Sequence, residues 1–137
     1  MVTAEPRKSN PRASRASAAA SELWGRRILY VDDDAFLRRA SSRLLHGAGA
    51  ICLLAGTHEQ AVAIAEGDAE LALAILDFQM PDGDVDSLVK RLRAARAALP
   101  LIGTSGADRR QAFAERGVTG FLEKPWQLDT LVQTLGW

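Results

Sequence analysis

Apolar residues in this chain recur in two alternating patterns. Short uninterrupted runs occur at residues 28–31, 50–54, 71–76, 100–104 and 120–122. Brief apolar runs bounded by polar residues predict buried strands of a parallel sheet. Between the runs the apolar positions take helical spacing. Phe36, Leu37, Ala40, Leu44, Leu45 and Ala48 share one face, with Arg38, Arg39 and Arg43 between them. Ala61, Val62, Ile64 and Ala65 predict a helix over 57–66, and Val85, Leu88, Val89 and Leu92 predict one over 84–98. A short helix is expected over 108–116, ended by Gly117, and a last one over 128–135. Asp34 is placed to cap the first helix, and Gly47 or Gly49 to stop it.

Five strand–helix pairs in strict alternation predict an α/β fold, with a parallel sheet covered by helices on both faces. In such folds the site lies at the carboxyl ends of the strands. Before the first run, the chain is rich in Ala, Ser, Arg and Pro without apolar period. A disordered basic tail is therefore expected over residues 1–25 and one folded domain over 26–137.

Composition refines this picture only slightly. The 137 residues carry 17 basic and 17 acidic side chains, which excludes the whole-chain basic excess of a simple nucleic-acid binder. The balance is uneven: residues 1–21 hold four basic residues against one acidic, leaving thirteen against sixteen for the remainder. Cys52 is the single cysteine, so neither an intrachain disulfide nor a cysteine metal site is expected. No apolar stretch approaches the roughly 18 residues of a membrane span, and the N-terminus lacks an apolar signal core. A cytoplasmic location is expected.

The predicted strand ends concentrate chemistry. The first ends in Asp32 and Asp33, the third in Asp77, the fourth in Thr104-Ser105, and Glu123-Lys124-Pro125 follows the fifth. Two carboxylates at about 4 Å repel by roughly 4 kcal/mol at an effective dielectric near 20. A proton or a hard, oxygen-liking cation such as Mg²⁺ relieves that repulsion. A carboxylate beside Mg²⁺ and a lysine is equipped to take a phosphoryl group as an aspartyl phosphate. Phe121 reads equally well as core filler, and His46 and His58 read as helix-surface or cap residues.

Four segments together carry a family resemblance: Ile28-Leu29-Tyr30-Val31-Asp32-Asp33-Asp34, Leu76-Asp77-Phe78-Gln79-Met80-Pro81, Leu101-Ile102-Gly103-Thr104-Ser105-Gly106 and Phe121-Leu122-Glu123-Lys124-Pro125. In order and spacing the chain resembles the receiver domain of two-component response regulators over about residues 26–137. The resemblance implies a flavodoxin-like (CheY-like) doubly wound (βα)5 sheet of strand order 2-1-3-4-5. It implies Asp77 as phosphoacceptor and a Mg²⁺ site made by Asp32, Asp33, Asp77 and the Gln79 backbone carbonyl. Ser105 matches the switch hydroxyl, Lys124 the phosphoryl-contacting lysine before a cis proline, and Phe121 the aromatic switch that turns inward. The implied partners are a histidine kinase or histidine phosphotransfer protein and a downstream protein met by the fourth- and fifth-helix face. No nucleic acid or membrane is implied, and self-association is left open.

Some positions depart from the family pattern. Val85 stands where the family usually has Gly, Gly106 replaces the common Ala, and the stretch from Ser105 to Lys124 is a few residues short. Ala107 offers no polar group to orient water, which points to a longer-lived phosphoryl state. The expected function is a stand-alone receiver that catalyses only its own phosphorylation and dephosphorylation, not a turnover enzyme. The rivals are a phosphorylation-independent adaptor, a receiver fragment of a larger hybrid kinase or regulator, and a Mg²⁺-dependent phosphohydrolase. The last lacks a second acid/base residue in Asp77-Phe78-Gln79.

Overall fold

The computed structural model describes residues 22–136. Five strands, β1 (Arg27–Val31), β2 (Ile51–Ala55), β3 (Leu71–Asp77), β4 (Leu101–Ser105) and β5 (Gly120–Glu123), alternate with five helices. These are α1 (Ala35–Gly47), α2 (His58–Gly67), α3 (Val85–Ala95), α4 (Arg110–Ala114) and α5 (Leu128–Leu135). The strands form one sheet of order β2-β1-β3-β4-β5, as expected, and all four pairings are parallel.

Side-chain alternation along the strands divides the interior into two layers. Leu29, Val31, Ala74 and Leu76 face α2, α3 and α4, meeting Ala61, Val62, Ala65, Leu88, Leu92 and Phe113. Ile28, Tyr30, Leu73, Ile75, Ile102 and Leu122 face the other way, onto Leu45 of α1 and Leu131 of α5. β3 is central and covered on both faces, which is why its sequence is an unbroken apolar run. β2 lies at one edge, and there Ile51 and Leu54 stay partly exposed.

The element ends differ from the sequence expectation where side chains intervene. Helix α3 stops at Ala95 rather than 98. Arg96 leaves the helix, and its guanidinium donates to the carbonyls of Asp68 and Leu71. Helix α4 keeps only residues 110–114 of the expected 108–116. Asp108 accepts from the Arg110 N–H at its start, and Gly117, at φ +75°, turns the chain away at its end.

Chain packing also begins before Arg26. Leu23 is fully buried among Leu45, Ala48, Ala50 and Leu131, and the Gly25 N–H donates to the Gly49 carbonyl at 2.9 Å. The Trp24 ring covers Gly49, which leaves no room for a Cβ there. The expected tail over 1–25 thus gives up Leu23 to the core, and up to residue 21 it lies outside the described residues, as does Trp137. No described helix is long and apolar enough to cross a membrane.

Candidate functional site

The carboxyl ends of β1, β3, β4 and β5 meet around an open cavity of about 730 Å³ lined by Asp32, Asp33, Asp77, Ser105 and Lys124 among others. Parallel pairing puts them there: β3 pairs Asp77 with Thr104 of β4, and β4 pairs Ser105 with Glu123. Carboxylate oxygens of Asp32, Asp33 and Asp77 all lie within 4.8 Å of one another. Asp32 and Asp77 are buried, whereas Asp33 is exposed.

Lys124 bridges the two buried carboxylates. Its Nζ lies 2.8 Å from Asp32 Oδ2 and 3.2 Å from Asp77 Oδ1. The Lys124–Pro125 peptide is cis, as expected, and the Lys124 N–H donates to the Ser105 carbonyl at 2.8 Å. Asp32 is held further by the Tyr30 hydroxyl at 3.1 Å and the Asp34 N–H at 3.0 Å. Asp34 itself caps α1, accepting from the N–H groups of Phe36 and Leu37. Ser105 Oγ accepts from the Ala107 N–H at 3.3 Å, and Thr104 Oγ1 donates to the Leu122 carbonyl, tying β4 to β5.

One lysine does not neutralise three carboxylates. Burial, then the negative charges of Asp32 and Asp33, raise the Asp77 pKa to about 6 despite the opposing pull of Lys124. Burial alone would lower the Lys124 pKa, but its hydrogen bonds and charge contacts with Asp32 and Asp77 outweigh burial and raise it. The site therefore holds excess negative charge on oxygen donors, which fits a hard divalent cation such as Mg²⁺. A cation there would offset the charge that Lys124 leaves unbalanced.

Phe121 is already inside the protein, only 6% exposed. Its ring packs 5.9 Å from that of Phe113, which in turn meets Phe78 edge-on at 5.5 Å. The guanidinium groups of Arg109 and Arg110 lie over the Phe78 and Phe121 rings at 5.0 and 5.5 Å. The ring thus stands in the inward position in this structure.

The family profile described as "Response regulator receiver domain" matches residues 28–136. This chain belongs to that family. The receiver is 37% identical to the two-component response regulator ARR22 of Arabidopsis thaliana over 103 residues, 72% of each chain. It is 32% identical to the sensor histidine kinase RcsC of Salmonella typhimurium over 111 residues, covering 79% of this chain but 12% of that protein. Among solved structures, the receiver domain from the hybrid histidine kinase CckA superposes with a TM-score of 0.65 at 34% identity, covering 80% of this receiver and 95% of that chain. The chemotaxis protein CheY4 of Vibrio cholerae gives 0.72 at 27% identity, covering 82% and 97%.

The structure also brings to the receiver site residues that sequence reasoning passed over. Arg38, read only as a polar spacer in α1, donates to the Asp32 carbonyl at 2.7 Å. His58, read as a surface or cap residue, is 4% exposed and packs against the loop that follows Asp77. Asp82 of that loop accepts from the His58 N–H at 2.6 Å. Helical spacing carries no trace of either contact, because both join separate elements.

Proposed function

We propose that this receiver accepts a phosphoryl group on Asp77 from a phosphohistidine of a histidine kinase or histidine phosphotransfer protein. The observation that carries the proposal is Lys124 Nζ within 3.2 Å of both Asp32 and Asp77, in a cluster of three carboxylates beside the Ser105 hydroxyl. An Asp77 carboxylate oxygen forms the new bond to phosphorus as the phosphorus–nitrogen bond to the donor imidazole breaks, and the leaving imidazole keeps the electron pair and takes a proton. Lys124 and Ser105 are placed to meet the transferred oxygens with a charge and a hydrogen bond. Asp32, Asp33, Asp77 and the Gln79 carbonyl would hold Mg²⁺, which supplies positive charge for the phosphoryl oxygens. Lys124 keeps Asp32 and Asp77 fixed before phosphorylation, and Tyr30 and Arg38 fix Asp32 from the β1 and α1 sides.

The reading extends to a cytoplasmic signalling module that is not a turnover enzyme and whose output is a protein contact near α4 and α5. The similarity to both a response regulator and a sensor kinase supports a phosphorelay role.

Incubation with Mg²⁺ and acetyl phosphate tests this reading directly. Intact mass is expected to rise by one phosphoryl group, and Asp77→Asn is expected to abolish the gain. No mass gain and no Mg²⁺ binding would leave the phosphorylation-independent adaptor. Many turnovers on unrelated phosphomonoesters would identify a hydrolase.

A further inference from the structure

His58 is a buried polar side chain to which the chemistry above gives no task. It opens α2, where Thr57 caps the helix by accepting from the Gln60 N–H. Its imidazole lies against the turn of residues 80–83, so close to Gly83 that a Cβ there would sit 3.0 Å from Nδ1 and Cε1. The turn is closed by a bridge between Met80 and Gly83, and Met80, Pro81 and Gly83 line the Asp77 cavity from its near side. His58 therefore backs the wall of the site. Its backbone N–H grips the same turn through Asp82 Oδ2.

The imidazole has one unmet requirement. Its Nε2 is buried and makes no hydrogen bond, while Asp82 Oδ1 lies 3.9 Å away. A buried polar atom without a partner costs stability, and 3.9 Å is about 1 Å too long for a hydrogen bond. A small shift of the turn would close the gap. The turn follows directly on Gln79, whose carbonyl is the backbone donor proposed for the cation. A contact that is open in one state and closed in the other biases the equilibrium between them.

We infer that His58 is a positioning residue for the cation centre: it backs the turn of residues 80–83 and hydrogen-bonds Asp82 Oδ1 through Nε2 in the cation-loaded state. This rests on the reading of the site as a divalent-cation centre. Groups that orient the ligands of a metal typically change its affinity by about 10- to 100-fold when removed.

Calorimetric titration of the full chain with MgCl2 tests the inference beside thermal melts of the cation-free protein. His58→Leu is expected to weaken Mg²⁺ binding by about 10-fold while leaving the cation-free melting temperature unchanged or higher. His58→Gln, whose amide nitrogen reaches the place of Nε2, is expected to restore most of the affinity. Asp82→Ala, on a partly exposed turn, is expected to lose a similar factor, and the double variant no more than either single one. If His58→Leu does not fold, Asp82→Ala carries the measurement. Unchanged Mg²⁺ affinity in both single variants overturns the inference and leaves the proposed function standing. So does a loss in His58→Leu that tracks a fall in melting temperature and is not restored by Gln. Absence of Mg²⁺ binding to the unsubstituted chain overturns the cation reading as well.

Discussion

Asp77 is caught between two neighbours of opposite sign. Its pKa, raised from 3.8 to about 6, means that the folded chain binds this proton more tightly than the unfolded chain does. The resulting stability is fully present below the unfolded pKa and is lost as pH rises through about 6. At pH 8 and without a divalent cation, ionised Asp77 costs up to about 3 kcal/mol. Asp77→Asn is therefore expected to melt higher than the native chain at pH 8, with an advantage that shrinks towards pH 4.5. Identical melts across that range would mean that neither burial nor the charges of Asp32 and Asp33 press on Asp77. Lys124 is the counterpart. Its removal leaves Asp32 buried opposite Asp77 with no charge between them, and Lys124→Met is expected to lower stability by about 3 kcal/mol at pH 7, read by denaturant unfolding. Combined with Asp77→Asn, the loss is expected to be smaller than the sum of the two single effects, because the two groups share one contact.

The elements owe their bounds to contacts that a linear reading does not contain. The five apolar runs and the helical spacings were enough to place β1–β5 and α1–α5, because each pattern depends on neighbours a few residues apart. The carboxylates at the strand ends were legible for a related reason, since alternation alone dictates which end of the sheet gathers them. Contacts between distant elements were not legible. Arg96 leaves α3 for carbonyls near residue 70, and His58 turns inward to meet a loop 24 residues away. Gly103 shows how such a contact constrains an element. The Phe113 ring of α4 packs against Gly103 of β4, so a Cβ at residue 103 would sit only 2.3–2.5 Å from its ring carbons. Gly103→Ala is expected to cost about 1–3 kcal/mol through overpacking, measured by denaturant unfolding. Phe113→Leu, costly by itself, is expected to recover part of that loss in the double variant. A Gly103→Ala chain as stable as the native one would mean that α4 is free to move off the sheet, and the shortened segment between Ser105 and Lys124 would then be slack rather than taut.

At the scale of the whole molecule, charge and fold are coupled through one end of the sheet. Most of the sixteen acidic residues outside residues 1–21 sit where water screens them, and some pair with arginines, as Asp68 does with Arg27 and Glu59 with Arg91. The Asp32–Asp33–Asp77 group is the exception: parallel strands bring its members together, and Lys124 offsets only part of their charge. The domain is thus less stable at neutral pH than its packing alone would make it, and a divalent cation is expected to return that stability. A ligand bound only by the folded state adds about 2.7 kcal/mol at 100 times its dissociation constant. Binding needs Asp77 ionised, so proton and cation compete, and below about pH 6 one displaced proton weakens the cation about tenfold per pH unit. A thermal-shift series in MgCl2 is therefore expected to show a large rise in melting temperature at pH 7.5 and a much smaller one at pH 5. In Asp77→Asn the dependence on pH is expected to flatten, because the competing proton is gone. An equal shift at both pH values in the native chain would place the cation away from these carboxylates and remove the electrostatic reason for their convergence.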